Sequence, residues 1–194
     1  MKKIYFVLTY TGTILSKIVH IYTKQEFCHS SLSLDKDLNE MYSFGRYWAY
    51  NPFIGGFIKE DVDSGTFKRF GNTKAAIYSL EVTNWQYKLI KKEIKKFKQS
   101  KGRYSFNTLG LAAILFHKKI KRKNKYYCSE FVKHLVDVAN IENDLPDIVR
   151  PQDFEKIDNV ELIYKGKLKD FKSLDIVWCL FFFQYCILFI VMIK

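Results

Sequence analysis

Two residues far apart in the chain can act together as a nucleophile and its base. His29 heads the alternating segment FCHSSLSLD (residues 27–35), and Cys128 opens a predicted helix in the segment KYYCSEFVKHL (residues 125–135). The positive end of a helix and a nearby imidazolium both favour the thiolate, which is the attacking form of cysteine. The pair therefore predicts nucleophilic thiol chemistry at Cys128, helped by the imidazole of His29.

Each residue also has a purely structural interpretation. A lone cysteine on the apolar face of a helix is commonly a core residue, and a lone histidine is more often structural than catalytic. The other histidines are weaker candidates: His20 lies in an amphipathic segment, His117 in a basic run and His134 deeper in the cysteine-bearing helix.

The elements that must position the pair are a hairpin and a helix. Residues 26–35 alternate between polar and apolar side chains, which is typical of a half-buried strand. Residues 35–39 have turn composition, residues 40–44 are the predicted returning strand, and residues 128–140 carry apolar side chains at helical spacing. The pattern predicts an α+β fold in which a small antiparallel sheet packs against the cysteine-bearing helix.

The rest of the chain supplies further predicted elements and one long connection. Strands are predicted at 3–9, 74–82 and 160–164, and helices at 13–22, at 84–99 with Thr83 as the N-cap, and within 104–115. Residues 45–72 are rich in glycine and aromatic residues, and this composition predicts a long loop near the site.

Charge limits the classes of partner. The 194 residues carry a formal net charge of +12, and the excess is strongest from Lys88 to Lys125, where Glu93 is the only acid. This basic segment would attract anionic lipid headgroups or another polyanion, although an ordinary solvated basic surface is the simpler interpretation. The chain has no zinc-finger spacing and no motif that reads nucleic acid, so we expect no specific nucleic acid partner.

The four cysteines, Cys28, Cys128, Cys179 and Cys186, form no Cys-x-x-Cys pair. We therefore expect no metal site and no cofactor. Unpaired thiols in a lysine-rich chain fit a reducing cytoplasm better than an oxidising compartment.

The C-terminal segment differs from the rest of the chain. Residues 176–193 carry no charge and are long enough to cross a hydrocarbon core of about 30 Å as a helix. A buried core helix is the alternative. The sequence predicts a globular domain over 1–173 and a transmembrane anchor over 174–194. Lysines just before the segment place the domain on the cytoplasmic face of the membrane.

The order of the motifs resembles a known family. A strand that begins with histidine, a hairpin and a distant helix that begins with cysteine resemble the circularly permuted papain-like fold. FCHSSLSLD, YYCSEFV and the opening VLTYTGTILSKIVHIYT are similar to segments of its NlpC-type, lecithin retinol acyltransferase-like and YiiX-like members. The resemblance covers about residues 3–171. It implies that Cys128 is the nucleophile, that His29 is the base, and that a third polar residue orients the histidine.

The third residue is the weak point of the resemblance. The returning strand offers Glu40, Tyr42 and Ser43, and none of them is the histidine of the peptidase branch. Alternation places Glu40 and Tyr42 on one face and Ser43 on the other. We favour Glu40 as the orienting group, with Tyr42 and Ser43 as contacts for a substrate. Tyr127, next to the nucleophile, is a further candidate for substrate binding.

These observations predict a membrane-anchored thiol hydrolase or acyltransferase. It would cleave an amide or ester of a lipid or peptide through an acyl-enzyme on Cys128. The rival prediction is a catalytically silent membrane-surface domain that binds anionic lipid through the basic segment.

Overall fold

The computed structural model describes residues 1–48, 54–114, 118 and 120–171. The strands are β1 (Lys2–Tyr10), β2 (His29–Ser33), β3 (Met41–Arg46), β4 (Gly55–Glu60), β5 (Lys74–Val82), β6 (Ser105–Phe106), β7 (Lys125–Tyr126) and β8 (Glu161–Lys167). The α-helices are α1 (Ile14–Thr23), α2 (Gly65–Arg69), α3 (Asn84–Gln99), α4 (Thr108–Ile114) and α5 (Cys128–Val138). The α+β class is therefore confirmed.

Most strands belong to one antiparallel sheet. Its six strands have the order β4-β3-β2-β1-β5-β8, and β6 and β7 form a separate parallel pair. The central strand β1 pairs with β2 on one side and with β5 on the other. The hairpin that carries His29 is therefore held in the middle of the sheet, with β4 added at its outer edge.

The sheet has a buried cluster on each face. Alternation along β1 directs Ile4, Phe6 and Leu8 into the larger cluster, which also holds the apolar faces of α3 and α5. Tyr5 and Val7 point into a smaller cluster on the opposite face. Both faces are thus covered, so residues on either face can be brought into a buried site.

Aromatic rings fix the position of α5 over the sheet. Phe131 of α5 lies 5.1 Å from Phe44 of β3 and 5.2 Å from Phe97 of α3, measured between ring centroids. All three side chains are almost fully buried. Such ring pairs add to the burial of apolar area, and here they hold the start of α5 beside β2 and β3.

One sequence prediction is wrong in part. Residues 45–72 were expected to form a long loop, but they contain β4 and α2. The glycines permit close strand pairing rather than disorder, because Gly45 is the register partner of Gly56 and a Cβ on Gly55 would collide with the carbonyl oxygen of Gly45. By contrast, the strand over 74–82 and the helix over 84–99 have the predicted bounds.

The helix α3 has a complete N-terminal cap. The Thr83 hydroxyl accepts a hydrogen bond from the Gln86 amide at 3.1 Å, and the Gln86 side chain accepts one from the Thr83 amide at 2.9 Å. Thr83→Ala is expected to lower the free energy of unfolding by about 1 kcal/mol, measured by urea denaturation. Thr83→Ser, which keeps the hydroxyl, is the control. Equal losses in the two variants would contradict this role of the cap.

Residues 174–194, the predicted anchor, lie outside the described residues. Among the residues that are described, no helix is both long and apolar enough to span a bilayer.

Candidate active site

The first turn of α5 is tied directly to the strand that carries His29. Cys128 is the first residue of α5 and only 5% exposed. The hydroxyls of Ser30 in β2 and Ser129 in α5 lie 2.9 Å apart and are hydrogen-bonded in a buried position. The residues next to His29 and Cys128 are thereby joined, which fixes the two candidate catalytic residues relative to each other.

The His29 imidazole is held by a buried carboxylate. His29 Nε2 lies 2.8 Å from Glu60 Oε1, and the Ser31 hydroxyl donates a hydrogen bond to the other oxygen of Glu60. The His29 side chain is 23% exposed and that of Glu60 9%. The Glu60 carboxylate and the Ser31 hydroxyl thus hold the His29 ring in one orientation.

The environment of Cys128 favours its thiolate. Burial opposes the charged form, but the charge of His29 and its hydrogen bond to the sulfur outweigh burial and lower the pKa of Cys128. The backbone of Ser30 and the hydroxyl of Ser129 act in the same direction. The thiol therefore ionises more readily than an ordinary cysteine.

His29 and Glu60 stabilise each other's charges. Burial alone would lower the pKa of His29, but the charges of Glu60 and Cys128 raise it to about 10. Burial would likewise raise the pKa of Glu60, but His29 and the hydrogen bond from Ser31 lower it. At neutral pH the site therefore holds an imidazolium beside a carboxylate, and this positive charge favours ionisation of Cys128.

This pair gives folding stability a defined pH dependence. The pKa of His29 rises from 6.5 to about 10, so its contribution is full below pH 6.5 and is lost as pH rises through 10. The pKa of Glu60 falls below 4.5, so its contribution is present above pH 4.5 and is lost on acidification. The stability difference between wild type and His29→Ala, from urea denaturation, should shrink between pH 6.5 and 10. A constant difference across that range would contradict the raised pKa.

The second thiol near the site has the opposite character. Cys28 Sγ donates a hydrogen bond to the Ser16 carbonyl oxygen at 3.2 Å. Burial, reinforced by the charge of Cys128, raises the pKa of Cys28 to about 12. Cys28 is therefore protonated at neutral pH, and it is the less readily ionised of the two thiols.

A cavity of about 90 Å³ gives access to the reactive groups. His29, Glu60, Cys28 and Cys128 line it together with polar residues of the α1 start and apolar side chains that include Phe44, Phe67, Phe106 and Leu111. Tyr127 lines a smaller cavity of about 30 Å³ that also contacts both cysteines. Cys128 is thus reached through a small space that is lined by both polar and apolar side chains.

Glu60, and not Glu40, is the carboxylate that contacts His29. Residues paired across antiparallel strands share a face. Ser33, on the His29 face of β2, pairs with Met41, which pairs with Glu60, whereas Leu32 on the other face pairs with Tyr42. Glu40 lies on the Tyr42 face and accepts a hydrogen bond from the Tyr42 hydroxyl at 3.3 Å. The expectation that Glu40 orients His29 is corrected by this register.

The three expected substrate contacts have different surroundings. Tyr42 is fully buried in the larger cluster, and its hydroxyl accepts a hydrogen bond from Lys98 Nζ at 2.7 Å, so it is not part of the cavity. Ser43 is buried near Glu60 and helps to lower its pKa, although within the described part of the chain its hydroxyl makes no hydrogen bond of normal geometry. The Tyr127 hydroxyl donates to the Val149 carbonyl oxygen at 3.3 Å.

A second histidine–carboxylate pair joins α5 to α3, away from the cavity. His134 Nε2 is 3.0 Å from Glu93 Oε1, and Lys96 Nζ contacts the same oxygen at 2.9 Å. The pair connects α5 to α3, and we assign it a structural role. All six lysines of the basic segment that lie on α3 are exposed, namely Lys88, Lys91, Lys92, Lys95, Lys96 and Lys98. Within the ranges that the structure describes, no cluster of three or more metal-ligating side chains is present.

Comparisons with known proteins add no relative to this geometry. No protein-family model matches the chain, and a search of curated proteins gives no match.

Proposed function

We propose that this protein is a thiol hydrolase or acyltransferase that forms an acyl-enzyme on Cys128. The observation that carries the proposal is the linked arrangement of Cys128, His29 and Glu60 around one cavity. A nucleophile, a base beside it and a group that orients the base are the parts that covalent acyl transfer needs.

The reaction proceeds in two steps. The Cys128 thiolate attacks the carbonyl carbon of an ester or amide, and the His29 imidazolium gives its proton to the departing alcohol or amine. The resulting thioester is then attacked by water or another acceptor, whose proton returns to His29 while the thiolate leaves. The amide N–H of Cys128, at the first turn of α5, is the nearest donor for the oxyanion.

The Glu60 carboxylate acts through His29. Its 2.8 Å contact with Nε2 holds the ring orientation and stabilises the imidazolium between the two proton transfers. Ser31 fixes the carboxylate in turn. This role is the one that the resemblance to permuted papain-like enzymes leaves to a third polar residue.

Lipid esters or amides are the favoured substrate class. The apolar side chains in the cavity lining, among them Phe44, Phe67 and Leu111, can contact an acyl chain. The apolar segment 176–193 supports attachment to a membrane, with residues 1–173 on the cytoplasmic face. Peptide amides are the second class, since the same nucleophile attacks either carbonyl.

The test uses the full chain and 4-nitrophenyl acetate. We expect a stoichiometric burst of nitrophenolate, and an acetyl group that peptide mass mapping places on Cys128 and hydroxylamine removes. Cys128→Ser should abolish both, whereas Cys28→Ser should keep them. A wild-type burst no faster than acetylation of a free thiol would contradict the proposal. Retained vesicle binding without any acylation would instead support the silent membrane-surface domain.

A further inference from the structure

Large apolar side chains are exposed on the elements that surround the cavity. On α1, Ile14, Ile18, Ile21 and Tyr22 are 80%, 41%, 69% and 69% exposed. Ile14, Ile18 and Ile21 follow the i, i+4, i+7 spacing and form one stripe along the outer face of the helix. A stripe of this kind on a surface helix normally faces a core, but here it faces outward.

The same helix forms part of the cavity wall. Ser16 and Val19 line the cavity, so α1 presents its inner side to the site and its isoleucine stripe to the outside. The Thr13 hydroxyl, at the N-cap of α1, accepts a hydrogen bond from Arg46 Nη2 at 3.4 Å. The start of α1 is thereby joined to the end of β3.

The segments next to α1 extend the apolar surface. Tyr47 and Trp48, which follow Arg46, are 45% and 59% exposed, and Ile54 before β4 is 47% exposed. Leu109 of α4 is 56% exposed, while Leu111 of the same helix lines the cavity. Three elements around the cavity thus carry exposed apolar residues, which is the pattern of an interaction surface.

Charge and composition identify the partner. The α1 sequence contains no acid, and Lys17 and Lys24 are exposed on and just after the helix. Trp48 and Tyr22 are the residue types that sit at the interface between lipid and water. A net charge of +12 disfavours a second copy of the chain as the partner and favours an anionic surface.

We propose that α1, together with Tyr47, Trp48, Ile54 and Leu109, docks on an anionic lipid bilayer. The isoleucine stripe enters the headgroup boundary, the lysines contact anionic headgroups, and the cavity opens toward the membrane surface. Docking itself is independent of catalysis. Delivery of a lipid carbonyl to Cys128 rests on the proposed function. Apart from Leu109, the residues of this surface lie outside the basic segment.

The experiment must separate this surface from attachment through the C-terminal segment. The full chain is mixed with vesicles of phosphatidylcholine and phosphatidylglycerol that carry brominated acyl chains, which quench nearby tryptophan. The chain has three tryptophans, so the difference between wild-type and Trp48→Phe spectra isolates Trp48. We expect Trp48 to be quenched, and the quenching to be lost in Ile18→Glu. The control is Leu162→Glu, an equal charge change at a residue of β8 that is 53% exposed. This variant should keep the quenching of Trp48.

Two other outcomes overturn the docking proposal. Unquenched Trp48 in a chain that still sediments with the vesicles means that attachment uses another segment. Conversion of a dimer to a monomer by Ile18→Glu, measured by sedimentation, means that the stripe binds a second copy. The nitrophenolate burst without vesicles should be unchanged in Ile18→Glu, so loss of docking alone leaves the catalytic proposal intact. Docking without a burst defeats the catalytic proposal alone.

Discussion

Replacing His29 with alanine is expected to slow acylation of Cys128 by about 10²- to 10⁴-fold at neutral pH, the range for loss of a general acid–base. Two effects combine in this variant. The thiolate loses the adjacent positive charge that lowers the pKa of Cys128, and the leaving group loses its proton donor. The measurement is the rate of the nitrophenolate burst at saturating ester.

The matched control for this variant is His134→Ala. His134 also contacts a buried carboxylate, that of Glu93, but it does not line the cavity. The His134→Ala variant should lose some folding stability and keep the wild-type burst rate. Equal burst rates in His29→Ala and wild type would show that Cys128 reacts without the histidine, and the proposed roles would then be wrong.

Glu60→Gln is expected to slow acylation by about a hundredfold, the cost of misplacing a catalytic group by about 1 Å. Glutamine preserves the size of the side chain but removes the charge that holds and stabilises the His29 imidazolium. The pKa of His29 should fall, which two-dimensional NMR of its ring protons can follow. A purely structural role for Glu60 would lower stability without moving that pKa.

Glu40→Gln is the control for the carboxylate. Glu40 accepts a hydrogen bond from the Tyr42 hydroxyl and lies on the Tyr42 face of the sheet. Glu60, which contacts His29, lies on the opposite face. The Glu40→Gln variant should leave both the burst rate and the pKa of His29 unchanged. If Glu40→Gln slowed acylation and Glu60→Gln did not, the strand register would not describe the working site.

Local sequence signals located most of the structure around the site. The cap at Thr83 and the apolar spacing of residues 84–99 depend on neighbours within one or two helical turns, so the sequence alone defines this helix. The alternation around His29 and the helical spacing after Cys128 likewise placed both residues on the correct elements.

The third residue could not be found in this way because it depends on pairing between distant strands. Glu60 shares a face with His29 only after β4 joins β3 in a register that pairs Met41 with Glu60. Gly45, Gly55 and Gly56 permit that close pairing, yet glycine in a sequence is a stronger signal for a loop. The signal that could have indicated Glu60 is the stretch FIKE, which ends in this acid and could form a further strand beside the hairpin.

The most direct test of the thiolate–imidazolium pair is the pH dependence of alkylation of Cys128 by iodoacetamide, a reagent small enough for the cavity. Peptide mass mapping separates Cys128 from the other cysteines. We expect a reaction midpoint for Cys128 below pH 9, the ordinary value for the thiol, and a higher midpoint in His29→Ala. Cys28, with a pKa raised to about 12, should stay unmodified at neutral pH. A midpoint for Cys128 at or above pH 9 that His29→Ala does not change would contradict the thiolate–imidazolium pair.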